Sequence, residues 1–441
     1  MNTSKTNSSK LVSRREFLRN VLVTAGAVTA SALAGCAPPV TPITQPKAET
    51  PTAAPTPKEI VYAFHDPADF RKRAVELFNE KYPDIKVTLQ QIPEEFPTKI
   101  FTMAAAGTLP DVVRVWEPMV LEFGRAGQVI DLQPMVDAEP EFRPEDFIES
   151  LWKFPVIAGK RFGIADGWNG HLCFYNKDLF DQAGVPYPDE NWNWDDYVAS
   201  ARKISRPEEK IWGSDGLFIG WLHWSYKLIW QNGGQVYNED YTECLLDRPE
   251  AIEAIQYWAD LLHEAVIMPS PAQAEGLGDL FQSGRAAMQR VGTWVMGPLA
   301  KAPFKWDMVP EPKRKERRTL LHTAFNVIPT TTKDKETAWK WLNWIVGPVG
   351  MYEYVKENAT PAARRSVNER RPWVREGVDA HWDYVPQAGE YGILVPAPPN
   401  VGEVEKLQND AIQAVYLGKM TAKEALTEVA PKVTEALRRQ A

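Results

Sequence analysis

Cysteine and histidine are scarce in this chain, and each shortage narrows what it can be. Three cysteines in 441 residues, Cys36, Cys173 and Cys244, cannot make a disulfide framework. Cys173 and Cys244 read as small buried hydrophobes, with a single bridge between them left open. The six histidines are scattered and H-E-x-x-H is missing, so no metal or other cofactor is expected. G-x-S-x-G is missing too, and nothing singles out the carboxylate pair of a glycosidase, so no catalytic residue is assigned. Without G-x-x-x-x-G-K-[ST], any nucleotide-driven step belongs to another protein. Acid exceeds base by 58 to 50, a net charge of -8, which argues against a nucleic-acid partner. After the first 35 residues no apolar run reaches the length of a membrane span.

The N-terminus does carry a signal. Ser13-Arg14-Arg15-Glu16-Phe17-Leu18-Arg19 resembles the recognition element of twin-arginine export, and residues 21 to 33 are only mildly apolar and too short for a resident helix. Leu33-Ala34-Gly35-Cys36 looks like a bacterial lipobox, whose cysteine takes a lipid before cleavage. Residues 1 to 35 are therefore expected to be a signal peptide, with Cys36 lipidated. The mature chain would carry 45 basic and 57 acidic groups, a net charge of -12. Residues 36 to 57 hold seven prolines among Thr and Ala and cannot bury a core; they read as an extended tether. The expected address is the outer face of the cell membrane, held by lipid.

From Lys58 the pattern is strand, helix, strand. Ile60-Val61-Tyr62-Ala63-Phe64 is an apolar run; Phe70, Ala74, Leu77 and Phe78 recur at helical spacing; Ile85, Val87 and Leu89 alternate. This predicts a βαβ unit and a parallel sheet. A helix near residues 98 to 106 and a strand over 110 to 115 follow. Ligands in such sheets lie beyond the carboxyl ends of the strands, where His65, Asp66, Trp116 and Glu117 stand. Further helices are expected over 249 to 265 and after Thr421-Ala422-Lys423-Glu424, a capping box. Trp339, Trp341 and Trp344 share one helix but not one face, so at most part of that set is core.

Six segments in order resemble the solute-binding proteins of ABC importers, in the large sugar-binding group. They are Ala104-Ala105-Ala106-Gly107-Thr108-Leu109-Pro110-Asp111-Val112; Gly127-Gln128-Val129-Ile130-Asp131-Leu132; Phe174-Tyr175-Asn176-Lys177-Asp178-Leu179-Phe180 with Ala183-Gly184-Val185-Pro186; Trp194-Asp195-Asp196; Phe281-Gln282-Ser283-Gly284-Arg285-Ala286-Ala287-Met288 with Gly292-Thr293-Trp294; and Phe325-Asn326-Val327-Ile328-Pro329 with Ala338-Trp339-Lys340-Trp341-Leu342. The resemblance implies an α/β fold of two lobes, a hinge and an interlobe ligand cleft. It places the N-lobe at 58–170 and 323–363 and the C-lobe at 171–322 and 364–441. One departure stands out: Phe162-Gly163-Ile164-Ala165-Asp166-Gly167-Trp168 replaces the family's usual Tyr-Gly-x-Pro before the hinge.

A sugar has a rim of hydroxyls and an apolar C–H face, so its receptor needs flat aromatic platforms beside carboxylates, amides or imidazoles. Trp294 is the first platform candidate, because it matches a cleft position of the family. Trp116 and Glu117 follow a strand end. His65 and Asp66 follow another, with Asp66 as a helix N-cap the alternative. Trp168 and Asn169 lie at the first lobe crossing, where Trp168 could instead pack the hinge. Trp221, His223 and Trp224 are candidates for the C-lobe wall, against a place in the core; Tyr391 and Asp166 are weaker. The expected partners are a sugar or oligosaccharide, ABC permease subunits and the membrane through a lipid anchor, with the protein a monomer. Alternatives are a polyamine, a glycerol phosphodiester or ferric iron in the same fold, with Arg364-Arg365 and Arg370-Arg371 as phosphate candidates, or a secreted carbohydrate-active enzyme.

Overall fold

The computed structural model describes residues 57 to 439 except Phe218. The export signal, Cys36 and nearly all of the tether lie outside the described residues. Among the described residues no helix is long and apolar enough to cross a membrane.

The chain opens with β1 (Lys58–Phe64), α1 (Asp69–Lys81) and β2 (Ile85–Gln91), then α2 (Phe96–Ala105), β3 (Val112–Trp116) and α3 (Glu117–Arg125). β1 pairs in parallel with β2 and with β3, the sheet that the βαβ pattern predicts. On α1 the buried residues are Arg71, Ala74 and Phe78, while Phe70 and Leu77 are only half-buried. Arg71 faces inward because Asp66, at the end of β1, lies 2.9 Å from its guanidinium.

Farther along come β4 (Ile164–Asn176), α4 (Leu222–Gln231), α5 (Pro249–Glu264), β5 (Met288–Gly292), β6 (Trp306–Pro310) and β7 (Thr319–Val327). The last stretch holds α6 (Lys335–Ile345), α7 (Pro348–Asn358), α8 (Tyr384–Tyr391), β8 (Gly392–Leu394), α9 (Val401–Tyr416) and α10 (Ala422–Arg438). The strands form one curled sheet in the order β2-β1-β3-β7-β4-β5, with β6 also on β4 and β8 on β7. β7 runs antiparallel to β3 and β4 antiparallel to β7, so the parallel half continues into an antiparallel one. β4 is the joint: residues 164 to 170 pair with β7, whereas 171 to 175 pair with β5 and 172 to 176 with β6. Its register with β7 shifts between Ala165 and Trp168.

Two apolar cores meet along this joint, the first reaching across it to Leu172, Phe174, Val291 and Trp306. One gathers Tyr62, Phe78, Ile100, Val115 and Trp341; the other gathers Trp194, Tyr197, Leu228, Trp258 and Val433. Most of the tryptophan richness goes into packing, since Trp194, Trp212, Trp224, Trp258 and Trp341 are all nearly inaccessible. On α6, Trp339 and Trp341 are both buried although they point almost oppositely, because the helix is covered on two sides: Trp341 meets Phe78 and Trp339 meets Phe142. Trp344 is half-buried, its indole N–H donating to the Ala74 carbonyl. Thr421 caps α10 through the predicted box with Glu424. Cys173 and Cys244 are buried free thiols, which closes the question of a bridge.

Candidate functional site

The sheet brings strand ends together beside the β4–β7 joint. At the end of β1, His65 meets Trp116 from the end of β3: the Trp116 indole N–H donates to His65 Nδ1 at 3.3 Å, and Phe96 packs on both rings. Burial, helped by the positive charge of Arg114, pulls the His65 pKa down to about 4, so the ring is neutral. Asp66 does not cap α1, whose N-cap is Ala68 without a side-chain bond. Instead it pairs with Arg71 and accepts from the Tyr354 hydroxyl at 3.0 Å. Burial pushes its carboxyl up, but Arg71 and Arg114 outweigh burial and hold it well below the usual carboxylate range.

Asp166 is wholly buried and takes a two-pronged contact from Arg114 at 2.8 and 3.0 Å, so it ties β3 to β4. Trp168 follows the hinge-packing alternative: it is 3% exposed, and its indole N–H donates to the Ala362 carbonyl at 3.1 Å. Asn169 is half-buried and accepts from the Thr293 hydroxyl at 3.0 Å. Glu117, 3% exposed, accepts from the Thr323 backbone N–H. Its Oε1 also lies 3.5 Å from His322 Nδ1.

On the other side of the joint, β5 ends at Gly292 and the chain turns back through Thr293 to Trp294. The Trp294 ring folds over Gly292 so closely that a Cβ there would sit 1.9 Å from it; only glycine admits this approach. Trp294, Trp221, His171 and His322 then form a ring tetrad in which all six centroid distances fall between 5.2 and 5.9 Å. Trp221 stacks on His322 at an interplanar angle of 26°. Two rings sandwiching a third need about 7 Å, twice the carbon contact distance, so a sugar ring must part the tetrad or lie against its outer faces. His223 is 6.4 Å from His322 and holds Glu405 at 2.9 Å.

Trp224 departs from the expected wall. It is 1% exposed, donates to the Arg290 carbonyl and packs among Trp258, Lys227 and Arg290, so it belongs to the second core. Tyr391 ends α8 with its ring 5.8 Å from the Arg317 guanidinium, and it makes no ring contact with the tetrad among the described residues. Arg364 of the phosphate candidates is buried and donates to the Phe142 and Val346 carbonyls.

Sequence reasoning missed His171 and His322. Register brings both in: His171 stands opposite Gly292, and His322 opposite Asn169. Behind them lies a buried polar group. Lys227 Nζ lies 2.5 Å from Glu311 and 3.2 Å from His171 Nδ1, and Glu311 is 3.7 Å from Arg290. Burial lowers the Lys227 pKa to about 8 against the pull of Glu311. Burial, then the charge on Lys227, drives that of His171 far below its ordinary value. Among the described residues no group of three or more His, Cys, Asp or Glu is placed to hold a metal ion.

The pattern of the bacterial extracellular solute-binding proteins matches residues 64 to 352. A galactooligosaccharide-binding protein of Bacillus subtilis is 22% identical, over 81% of this chain and 84% of its own. An ABC substrate-binding protein of Listeria monocytogenes, solved with cycloalternan, superposes with a TM-score of 0.81 at 26% identity, over 87% of this chain and 99% of that one. A Mycobacterium tuberculosis protein solved with glycerophosphocholine gives 0.74 at 16% identity, over 87% and 99%; at that distance the likeness speaks for the fold alone.

Proposed function

The chain belongs to the bacterial extracellular solute-binding proteins, a family of binding proteins and not of enzymes, and from that premise we propose that it captures a neutral sugar or oligosaccharide outside the cell and delivers it to the permease of an ABC importer. The observation that carries this reading is the pair of indoles, Trp221 and Trp294, set beside imidazoles where two cores meet across β4 and β7. Indole faces suit the C–H face of a sugar and imidazoles suit its hydroxyls. Trp116 and His65 supply a matching aromatic and polar pair on the opposite side. The neighbour solved with cycloalternan is consistent with such a ligand.

The mechanism is hinge closure. The lobes are read as 58–170 with 323–363 and 171–322 with 364–441; contacts that favour a later third crossing are those of Arg364 and Arg365 with the Phe142 and Phe147 carbonyls and of Arg375 with the Lys356 carbonyl, all on the N-lobe side. Ligand touching both lobes shifts the open–closed balance by its differential affinity. The ligand leaves unchanged. Cys36, lipidated after export, and the proline-rich tether would keep the protein at the outer membrane face within reach of the permease.

A thermal-shift screen tests the reading, using neutral mono- and oligosaccharides with spermidine and glycerophosphocholine as charged comparators. A neutral carbohydrate at 100 times its dissociation constant should add about 2.7 kcal/mol. Stabilisation by spermidine or glycerophosphocholine alone would replace the sugar by that ligand class.

A further inference from the structure

We propose that His171 and His322 read a ligand hydroxyl, or two neighbouring ones, through imidazoles of opposite tautomer, and that this pair selects a neutral polyol over a cation or a phosphodiester. The inference rests on the carbohydrate reading and deepens it. His171 is fully buried, and Lys227 Nζ lies 3.2 Å from its Nδ1. An ammonium donates and cannot accept, so Nδ1 accepts and the proton of the neutral ring sits on Nε2. In His322 the order is reversed. Its Nδ1 lies 3.5 Å from Glu117 Oε1. A carboxylate only accepts, so Nδ1 is the nitrogen that turns its proton to Glu117, and Nε2 is the one left to present a lone pair.

Both Nε2 atoms are buried and have no hydrogen-bond partner among the described residues. The two rings lie 5.5 Å apart, flanked by Trp221 and Trp294. One donor and one acceptor, both buried and unmet, match a group that can both accept and donate. A hydroxyl is that group. An ammonium ligand leaves the His171 N–H unmet and brings a cation toward Lys227 and Arg290. A phosphodiester leaves the His322 lone pair facing an anion. Behind the pair, Lys227 donates to Glu311, with Arg290 3.7 Å from the same carboxylate, and Lys227 fixes the His171 tautomer.

The test combines nitrogen NMR of histidine-labelled full-length mature protein with calorimetry on His171→Phe and His322→Phe, which keep ring bulk. The probes are maltose, a galactobiose and an arabinotriose, with spermidine and glycerophosphocholine as charged controls. In free protein, His171 should show a protonated Nε2 and His322 a bare one, and both signals should move when the neutral ligand binds. Each variant should bind that ligand about tenfold more weakly, the loss of one hydrogen bond. Should His171→Phe fail to fold, His322→Phe and the wild-type spectra decide alone. Wild-type protein that binds carbohydrate with both rings in one tautomer, or with variants within twofold of it, overturns this inference and leaves the sugar reading standing. Wild-type protein that binds only a charged control overturns both.

Discussion

Gly292 and Trp294 form the tightest couple in the site. Gly292 has φ −69° and ψ 157°, an ordinary extended conformation, so alanine there meets no backbone strain. The whole cost falls on the ring, which the new Cβ would meet at 1.9 Å. Gly292→Ala should lower stability by about 1–3 kcal/mol, read as a shifted urea midpoint, and weaken carbohydrate binding as the platform moves. His65 makes a pH prediction. It titrates at about 4 in the fold, against about 6.5 in an unfolded chain, so the folded chain binds fewer protons. Its contribution is therefore complete above about pH 6.5 and is lost as pH falls toward 4, up to about 3 kcal/mol in all. Urea midpoints at pH 7.5 and 4.5 should differ less in His65→Gln than in the parent. Trp294, Trp116 and His65 enter the candidate site from sequence because strand ends and motif spacing mark them. His171 and His322 do not, since a lone histidine inside an apolar strand reads like any satisfied core histidine. What joins them is a register between segments some 150 residues apart.

At the scale of elements, periodicity and capping chemistry were the readable part. The Thr421–Glu424 box opens α10 as predicted, and Thr421→Ala should cost about 1 kcal/mol by urea denaturation. The first βαβ unit follows from an apolar run, a helical stripe and an alternating run. β4 was hidden, because a strand buried nearly throughout its 13 residues has no alternation to show and its polar Asp166 breaks the apolar run. That aspartate is the pin of the joint. Asp166→Asn leaves Arg114 buried with a poorer partner, Asp66 at 3.9 Å. It should cost about 3 kcal/mol, checked by the same denaturation. Trp168, read from sequence as a cleft residue, serves the joint too, for its indole holds the segment at Ala362 against β4.

For the whole molecule, what matters is the joint, where one long strand and its antiparallel neighbour carry the sheet past two cores; the proposed closure is a bend there. The family pattern and the structural neighbours agree on that two-lobe plan. Small-angle X-ray scattering during a titration with neutral oligosaccharides tests the hinge and the ligand class together. The account predicts that at least one of them contracts the radius of gyration, saturating at one equivalent. A scattering curve unchanged by every neutral carbohydrate, with contraction only on adding spermidine or glycerophosphocholine, would contradict it.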